Sequence, residues 1–385
     1  MPGEITLLVG TTKGAFLIRG DGAAGGWTVS GPHCGGWPIN HAVGDPKTGT
    51  IWAGGGGEWH GAGVWRSGDG GASWDLTKLT RGKMDEWAAN DPDFAAMIGW
   101  TPEAPQFGDD FQQVWSLGLH HGTLYAGTKP AGLLASRDGG KTFTGLDALG
   151  DHPSKDSWNP GAAGLVLHTI VGDPADAKKL WVAISAAGVF ASEDGGQSWE
   201  RRNRLSNADA CGHHDHPAAA RDGETGHCVH NMMRAPGAGD VLYQQNHHGV
   251  WRSGDGGRSW EDITEGLPST FGFPIRVHPH DPDTLWTIPL NGDTAGRFPP
   301  GAAAAVWRSR DGGKSWQAMR NGLPQENCFF TVLRQAMAGD TRKPAGLYFG
   351  TNTGSVFSSS DEGDSWHEIA RHLPTVLAVE VLERG

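Results

Sequence analysis

Three histidines stand at matching places in a chain of 385 residues. His41 lies in Ile39-Asn40-His41-Ala42-Val43, His168 in Val166-Leu167-His168-Thr169-Ile170 and His230 in Val229-His230-Asn231-Met232; Arg276 holds the comparable place in Pro274-Ile275-Arg276-Val277. Three imidazoles with an open fourth position make a site for a divalent transition metal, zinc or similar. Without a metal, the same set would bind an anion or carboxylate, with Arg276 as the fork. A third reading has each imidazole packed in the interior and bonded to a backbone carbonyl. A second cluster, Cys211-Gly212-His213-His214-Asp215-His216 followed by His227-Cys228-Val229-His230, is rich enough in thiol, imidazole and carboxylate to suit a transition metal. Its spacing fits no standard zinc finger. A solvated polar loop with one buried cysteine, or a Cys211–Cys228 disulfide, are the other readings.

More polar groups fall at the ends of apolar runs. Gly10-Thr11-Thr12-Lys13, Gly127-Thr128-Lys129 and Tyr243-Gln244-Gln245-Asn246-His247-His248 are parallel in position. Alternation along a strand lets only some of them point to one side. Lys13, Gln245 and Lys129 are the expected substrate-binding residues, and His247 joins Arg276 as the expected catalytic pair. The carboxylates Glu58, Asp85, Glu86, Asp109 and Asp110 could supply a general acid or base, and no pattern singles one out.

The elements that must position these residues are set by one recurring phrase. Ser-x-Asp-x-Gly-x-Ser/Thr-Trp/Phe occurs with Asp69, Asp138, Asp194, Asp255, Asp311 and Asp361 at its centre. The carboxylate can accept hydrogen bonds from its own turn, glycine supplies positive φ, and the aromatic is large enough to pack between sheets. Before each phrase the grammar is constant: a strand-like run, a turn, an apolar strand, then Gly-apolar-apolar. In the best example, runs over 165–171, 180–184 and 188–191 precede Asp194, and Trp199-Glu200-Arg201 follows. Each unit is four short antiparallel strands with an apolar face that only a neighbouring unit can bury. The N-terminal unit lacks its first strand, and Val376-Leu377-Ala378-Val379-Glu380-Val381-Leu382 follows the last complete unit. Pairing the two closes a ring without a free sheet edge. The expectation is all-β, one domain over 1–385: a single seven-bladed β-propeller of four-stranded antiparallel blades, closed by the C-terminal strand pairing with the N-terminal blade. First strands then line the channel. The phrases sit at one face, and insertions over 78–110, 145–163, 203–227 and 291–304 belong to the other, where function on such a scaffold is expected.

With these phrases, and with Gly36-Trp37-Pro38-Ile39-Asn40-His41-Ala42-Val43 and Gly322-Leu323-Pro324-Gln325-Glu326-Asn327, the chain resembles the Asp-box, or bacterial-neuraminidase-repeat, β-propellers. It is similar to a bacterial subgroup labelled sialidase-like or related to photosystem II assembly factors. That resemblance implies the propeller fold over nearly the whole chain and leaves function open, because one fold hosts many chemistries. It does not extend to sialidase chemistry. Sialidases are six-bladed and use a tyrosine nucleophile, whereas Tyr125, Tyr243 and Tyr348 occupy the same second-strand slot as Trp52, Trp181 and Trp286. Arg234, Arg276 and Arg334 are candidates for an arginine cluster, with no pattern that makes them converge. Xyloglucanases with these boxes place their acids between two propellers, and this chain has length for one. Two functions follow: a histidine-lined, metal-assisted pocket acting on a small polar substrate as hydrolase or lyase, or a non-catalytic ligand-binding or assembly module.

Composition narrows the partners. A formal charge of −12 disfavours nucleic acid and anionic membranes. No window approaches eighteen apolar residues, the N-terminal segment lacks a basic stretch, and four cysteines are too few for a disulfide framework. A cytoplasmic protein is expected.

Overall fold

The computed structural model describes residues 4–22, 25–102, 104–206, 223–237 and 239–383. Among them the strands form five four-stranded antiparallel sheets and one of eight strands, whose two four-stranded halves meet at a single pairing, Gly56 with Gln113. The C-terminal strand Val376–Glu383 pairs antiparallel with Ile5–Thr11, the first strand of the chain, from Thr11 opposite Val376 to Ile5 opposite Glu383. Apart from the C-terminal strand beside Ile5–Thr11 and the Gly56–Gln113 junction, each strand lies beside the one before it in the chain.

The innermost strands pack on one another in a closed circuit. Val376–Glu383 lies against Ile39–Gly44, then come Gln113–His120, Val166–Gly172, Val229–Arg234, Gly272–Val277 and Met337–Gly339, which returns to Val376–Glu383. This is the arrangement of a β-propeller. Second-strand aromatics link one sheet to the next. The indole N–H of Trp52 donates to the Gly139 carbonyl at 2.8 Å, Trp181 to Gly256 at 2.9 Å and Trp286 to Glu362 at 3.1 Å. All three indoles are buried, so each hydrogen bond is made where water does not compete. Tyr243 and Tyr348 hold the same slot, bonding Pro282 O and the Asp340 carboxylate at 2.9 Å each.

The recurring phrase builds one turn six times. Asp69 accepts from Ser67 Oγ at 2.8 Å, the Ser73 N–H at 2.9 Å and Ser73 Oγ at 2.5 Å. The same contacts recur around Asp138, Asp194, Asp255, Asp311 and Asp361. Gly70 and Gly71 run at φ 74° and 95°, and a Cβ on Gly71 would stand 2.2 Å from Leu17 Cδ1, so the sharp bend requires glycine there. Hydrogen bonds from Ser198 and Ser315 hold the Asp194 and Asp311 carboxyls down to about 2. These carboxylates are occupied acceptors within a turn.

Antiparallel order fixes what lies at each end. The turns follow the third strand, so the beginnings of first strands and the ends of second strands point the other way. The insertion over 78–110 carries two short helices, Lys83–Asn90 and Pro92–Ile98. No helix among the described residues is long and apolar enough to cross a membrane.

Candidate functional site

At the end of the channel away from the turns is a cavity of about 550 Å³. Its wall is built from the beginnings of four first strands, which give Asn40, Trp115, His230 and Phe273, and from the connections that carry Asn159–Ala163, His227, Asp293 and Arg297. The strand residues share a local cause. Asn40, Trp115 and His230 each fall at a register shift, where the neighbours on either side are paired with consecutive partners and the residue between them is not: Ile39 and His41 with Gly55 and Gly54, Val114 and Ser116 with Thr128 and Gly127, Val229 and Asn231 with Asn246 and Gln245. A fourth shift, between Gly272 and Ile275, contains Phe273. A β-bulge re-aims the extra side chain and ends the simple alternation. Here it aims a set of side chains from separate sheets at the channel mouth.

Two charged groups dominate the wall. Arg297 donates from Nε to Asp293 Oδ1 at 2.7 Å, with its Nη2 at 2.7 Å from the same oxygen. Asp293 Oδ2 is in turn 3.3 Å from His247 Nε2. Arg334 is different. Its guanidinium carbon lies 5.1 Å from the centre of the Phe273 ring, its Nε is shut off from solvent without a hydrogen-bond partner, and among the described residues it makes no ion pair, although the Asp293 charge bears on it. Burial lowers its pKa from the ordinary arginine value. His230 and His168 are held well below the usual imidazole value, by burial first and by the Arg334 charge second. Both rings are therefore neutral and remain available as lone-pair donors near neutral pH.

The structure distributes the sequence candidates unevenly. His230 and His247 line the cavity, with ring centres 5.3 Å apart. His41 does not: its Nδ1 accepts the Leu117 N–H at 3.0 Å, joining two inner strands, and its neighbour Asn40 takes the bulge position. His168 is buried at its own register shift, with Nδ1 2.8 Å from Thr169 Oγ1, behind the wall. The trio His41, His168 and His230 is thus not gathered as one ligand set. Among the described residues one group of three donors comes together, Cys228, His230 and His247, whose ligand atoms all lie within 4.8 Å of one another. Gln245 is fully used by the scaffold, donating to Asn246 O, Gly249 O and Thr270 O and accepting from Thr287 Oγ1. Arg276 donates to the Gly339 carbonyl at 3.1 Å and ties two inner strands together. Lys13 is exposed and outside the wall, and Lys129 lies 5.7 Å from the centre of Trp115, a wall residue. The insertion carboxylates named above are elsewhere. Asp85, for example, accepts the Gly82 N–H and the Trp100 indole N–H beside a helix start. Arg234 pairs with Asp173 at 3.3 Å. The cluster Cys211–His216, and with it the Cys211–Cys228 question, lies outside the described residues, while Cys228 itself is a free, buried thiol.

Sequence reasoning missed Asn40, Trp115, Phe273, Asp293, Arg297 and Arg334 as wall residues. For Asp293 and Arg297 a signal existed, since both lie in an insertion expected at this face. For Asn40 the strand position was legible and the bulge was not.

The fold and the wall define a β-propeller with a cavity at one end of its channel, walled by aromatic and aliphatic side chains around a few charged and imidazole groups. No family model matches the chain. It is 24% identical over 222 residues to the oligoxyloglucan-reducing end-specific xyloglucanase of Emericella nidulans, which covers 50% of this chain and 25% of that protein. The chain thus spans about a quarter of the length of the curated relative it matches. Among solved structures it is similar to the GH74 xyloglucanase of Xanthomonas campestris, with a TM-score of 0.61, 18% identity, and 96% of this chain and 55% of that one covered. A putative 6-phosphogluconolactonase of Bacteroides fragilis gives a TM-score of 0.57 at 12% identity, with 99% and 98% covered. At these identities the likeness is one of fold.

Proposed function

We propose that the chain is a seven-bladed Asp-box propeller, and that the cavity is a histidine-lined site for a small polar molecule bearing a carboxylate or phosphate, with chemistry of the hydrolase or lyase type. The blade count takes the eight-stranded sheet as two blades, because its halves share a single pairing. The observation that carries the functional reading is Arg334: a guanidinium on the cavity wall with a desolvated Nε and no ion pair among the described residues, the nearby Asp293 carboxylate being bound to Arg297. An unpaired buried charge is destabilising on its own, and an anionic ligand would supply what the fold does not. Arg297 stands near enough to share that ligand, since both guanidinium groups lie within 6 Å of the Phe273 ring, at 5.9 Å and 5.1 Å. A volume of about 550 Å³ suits a molecule of one or two sugar rings. His247, held against Asp293, is the candidate general acid or base.

The curated relative is named for its action on xyloglucan oligosaccharides. Titration calorimetry with glucuronate and with a xyloglucan oligosaccharide separates the two chemistries. Glucuronate should bind and weaken with added salt. Binding of the neutral oligosaccharide alone would refute the anionic reading. Binding of the anion without turnover of any of its esters or glycosides would leave the alternative, a non-catalytic binding module.

A further inference from the structure

We propose that Cys228, His230 and His247 form a binding site for a divalent transition metal of the zinc type, with its open position facing the cavity. The proposal goes beyond the anion-binding reading: it does not depend on Arg334, and it gives His247 a metal-ligand role in place of acid–base work. Cys228 Sγ is already 3.5 Å from His230 Nε2. Ligand atoms around a tetrahedral zinc are about 3.4–3.8 Å apart, given bonds of about 2.0–2.3 Å. The whole group lies within 4.8 Å, so about 1 Å of side-chain movement closes the remaining gap.

The arrangement also fixes which nitrogen is offered. His230 Nδ1 is 2.6 Å from the Gly272 carbonyl, which only accepts, so Nδ1 carries the proton and the Nε2 lone pair faces the thiol. A backbone carbonyl on the far nitrogen is the usual outer partner of a metal-binding imidazole. His247 is placed by its backbone, whose N–H donates to Cys228 O at 3.0 Å, and by Asp293 beside its ring. Phe271 and Phe273 wall the group, with ring centres 5.2 Å and 4.7 Å from that of His230. One thiolate with two imidazoles is a donor set for zinc, cobalt or copper and a poor one for magnesium or calcium. On binding, the metal replaces the Cys228 thiol proton, which leaves to solvent, and the thiolate charge is retained in the metal–sulfur bond. The fourth position would be taken by water or by a ligand oxygen from the cavity.

The test uses the full chain, untagged. Metal analysis after zinc loading and desalting should find about one equivalent held by this group. Cobalt(II) titration should give a near-ultraviolet thiolate-to-cobalt band and intense tetrahedral bands in the visible. Cys228→Ser should abolish the near-ultraviolet band and lower cobalt affinity at least about 100-fold, while Arg334→Met should leave both in place. A wild-type protein that gives no thiolate-to-cobalt band at excess cobalt overturns the proposal, whether or not the variant folds. So does a Cys228→Ser protein that keeps the wild-type spectrum and stoichiometry, which would assign the metal to other residues. Failure of the anion reading appears instead as absent glucuronate binding with the cobalt spectrum intact.

Discussion

Replacing Arg334 by methionine should make the unliganded protein more stable. The change keeps most of the apolar stem and removes a guanidinium with a sealed Nε and no ion pair among the described residues. Keeping an unpaired ion away from water carries an effective penalty of several kcal/mol. Two terms reduce the gain: contact with the Phe273 ring, worth about 0.5–2 kcal/mol, and hydration of the part of the group that faces the cavity. The net expectation is a gain of about 1–2 kcal/mol. For 385 residues the unfolding entropy is about 0.8 kcal/mol/K, so the melting temperature should rise by about 1–3 °C. The same variant should lose glucuronate affinity by about 30-fold or more, as expected for a desolvated charge pair. Thermal melts and calorimetry on one preparation read both. A fall of several degrees together with unchanged glucuronate binding would refute the reasoning, because Arg334 would then be a packing residue satisfied by the fold.

Three further outcomes follow from the same structure. His41 and His168 are held below the ordinary imidazole value, in each case by burial first. Their unfolded forms take up protons near pH 6.5 and the folded forms do not, so this stability is complete above about pH 6.5 and is lost as pH falls toward the folded values. Denaturant unfolding should lose stability as pH falls below about 6.5, by up to about 1.4 kcal/mol per pH unit for each ring that stays neutral in the fold, and a flat profile there would mean that the rings charge in place. Asp194→Asn should lower stability by about 1 kcal/mol after allowance for solvent screening, with glucuronate and cobalt binding unchanged, because the turn is at the other end of the channel. Its wild-type contribution is present above about pH 4 and fades as pH falls through about 2. Trp181→Ala should cost about 3–5 kcal/mol through the cavity it leaves and the lost bond to Gly256, and a loss below about 1 kcal/mol would mean that the sheets reseal without it.

The repeating architecture was legible because its signals are local and redundant. Six copies of one turn, a constant strand grammar, an N-terminal unit short of its first strand and an orphan strand after the last unit lead directly to four-stranded sheets and to the pairing of Ile5–Thr11 with Val376–Glu383. The site was legible only in outline. The face was indicated by where the insertions fall, and His230 and His247 were named. Among the other candidates, Gln245 and Arg276 show one reason: a polar residue in a strand satisfies the scaffold as readily as a ligand. Gln245 completes four hydrogen bonds to protein atoms, and Arg276 bonds a neighbouring strand's carbonyl. Composition cannot tell these from binding groups. Arg334 was visible as one arginine among three, and what distinguishes it is a sealed Nε without a hydrogen-bond partner and the lack of an ion pair among the described residues, which only the folded structure reveals.

The histidines make the physical point most directly. In a regular strand, residues an even number apart share a face, so His41, His168 and His230 at matching places should share a role. The first strands that carry these histidines instead hold an extra residue near their start, and the phase after the bulge is opposite to the phase before it. In the strand Ile39–Gly44 the unpaired residue is Asn40, and His41 resumes pairing, opposite Gly54. In Val166–Gly172 and Val229–Arg234 it is the histidine itself. One residue of offset therefore turns His41 from the channel mouth to an inter-sheet acceptor for Leu117, while His230 meets Cys228 and His247. The cysteine joins through proximity in the chain, two residues before His230, and His247 through the second strand, where Asn246 pairs with Val229. The donor set is thus assembled by one bulged hairpin, and the other sheets contribute charge and walls around it. That division explains why a metal-site variant and an Arg334 variant should fail independently.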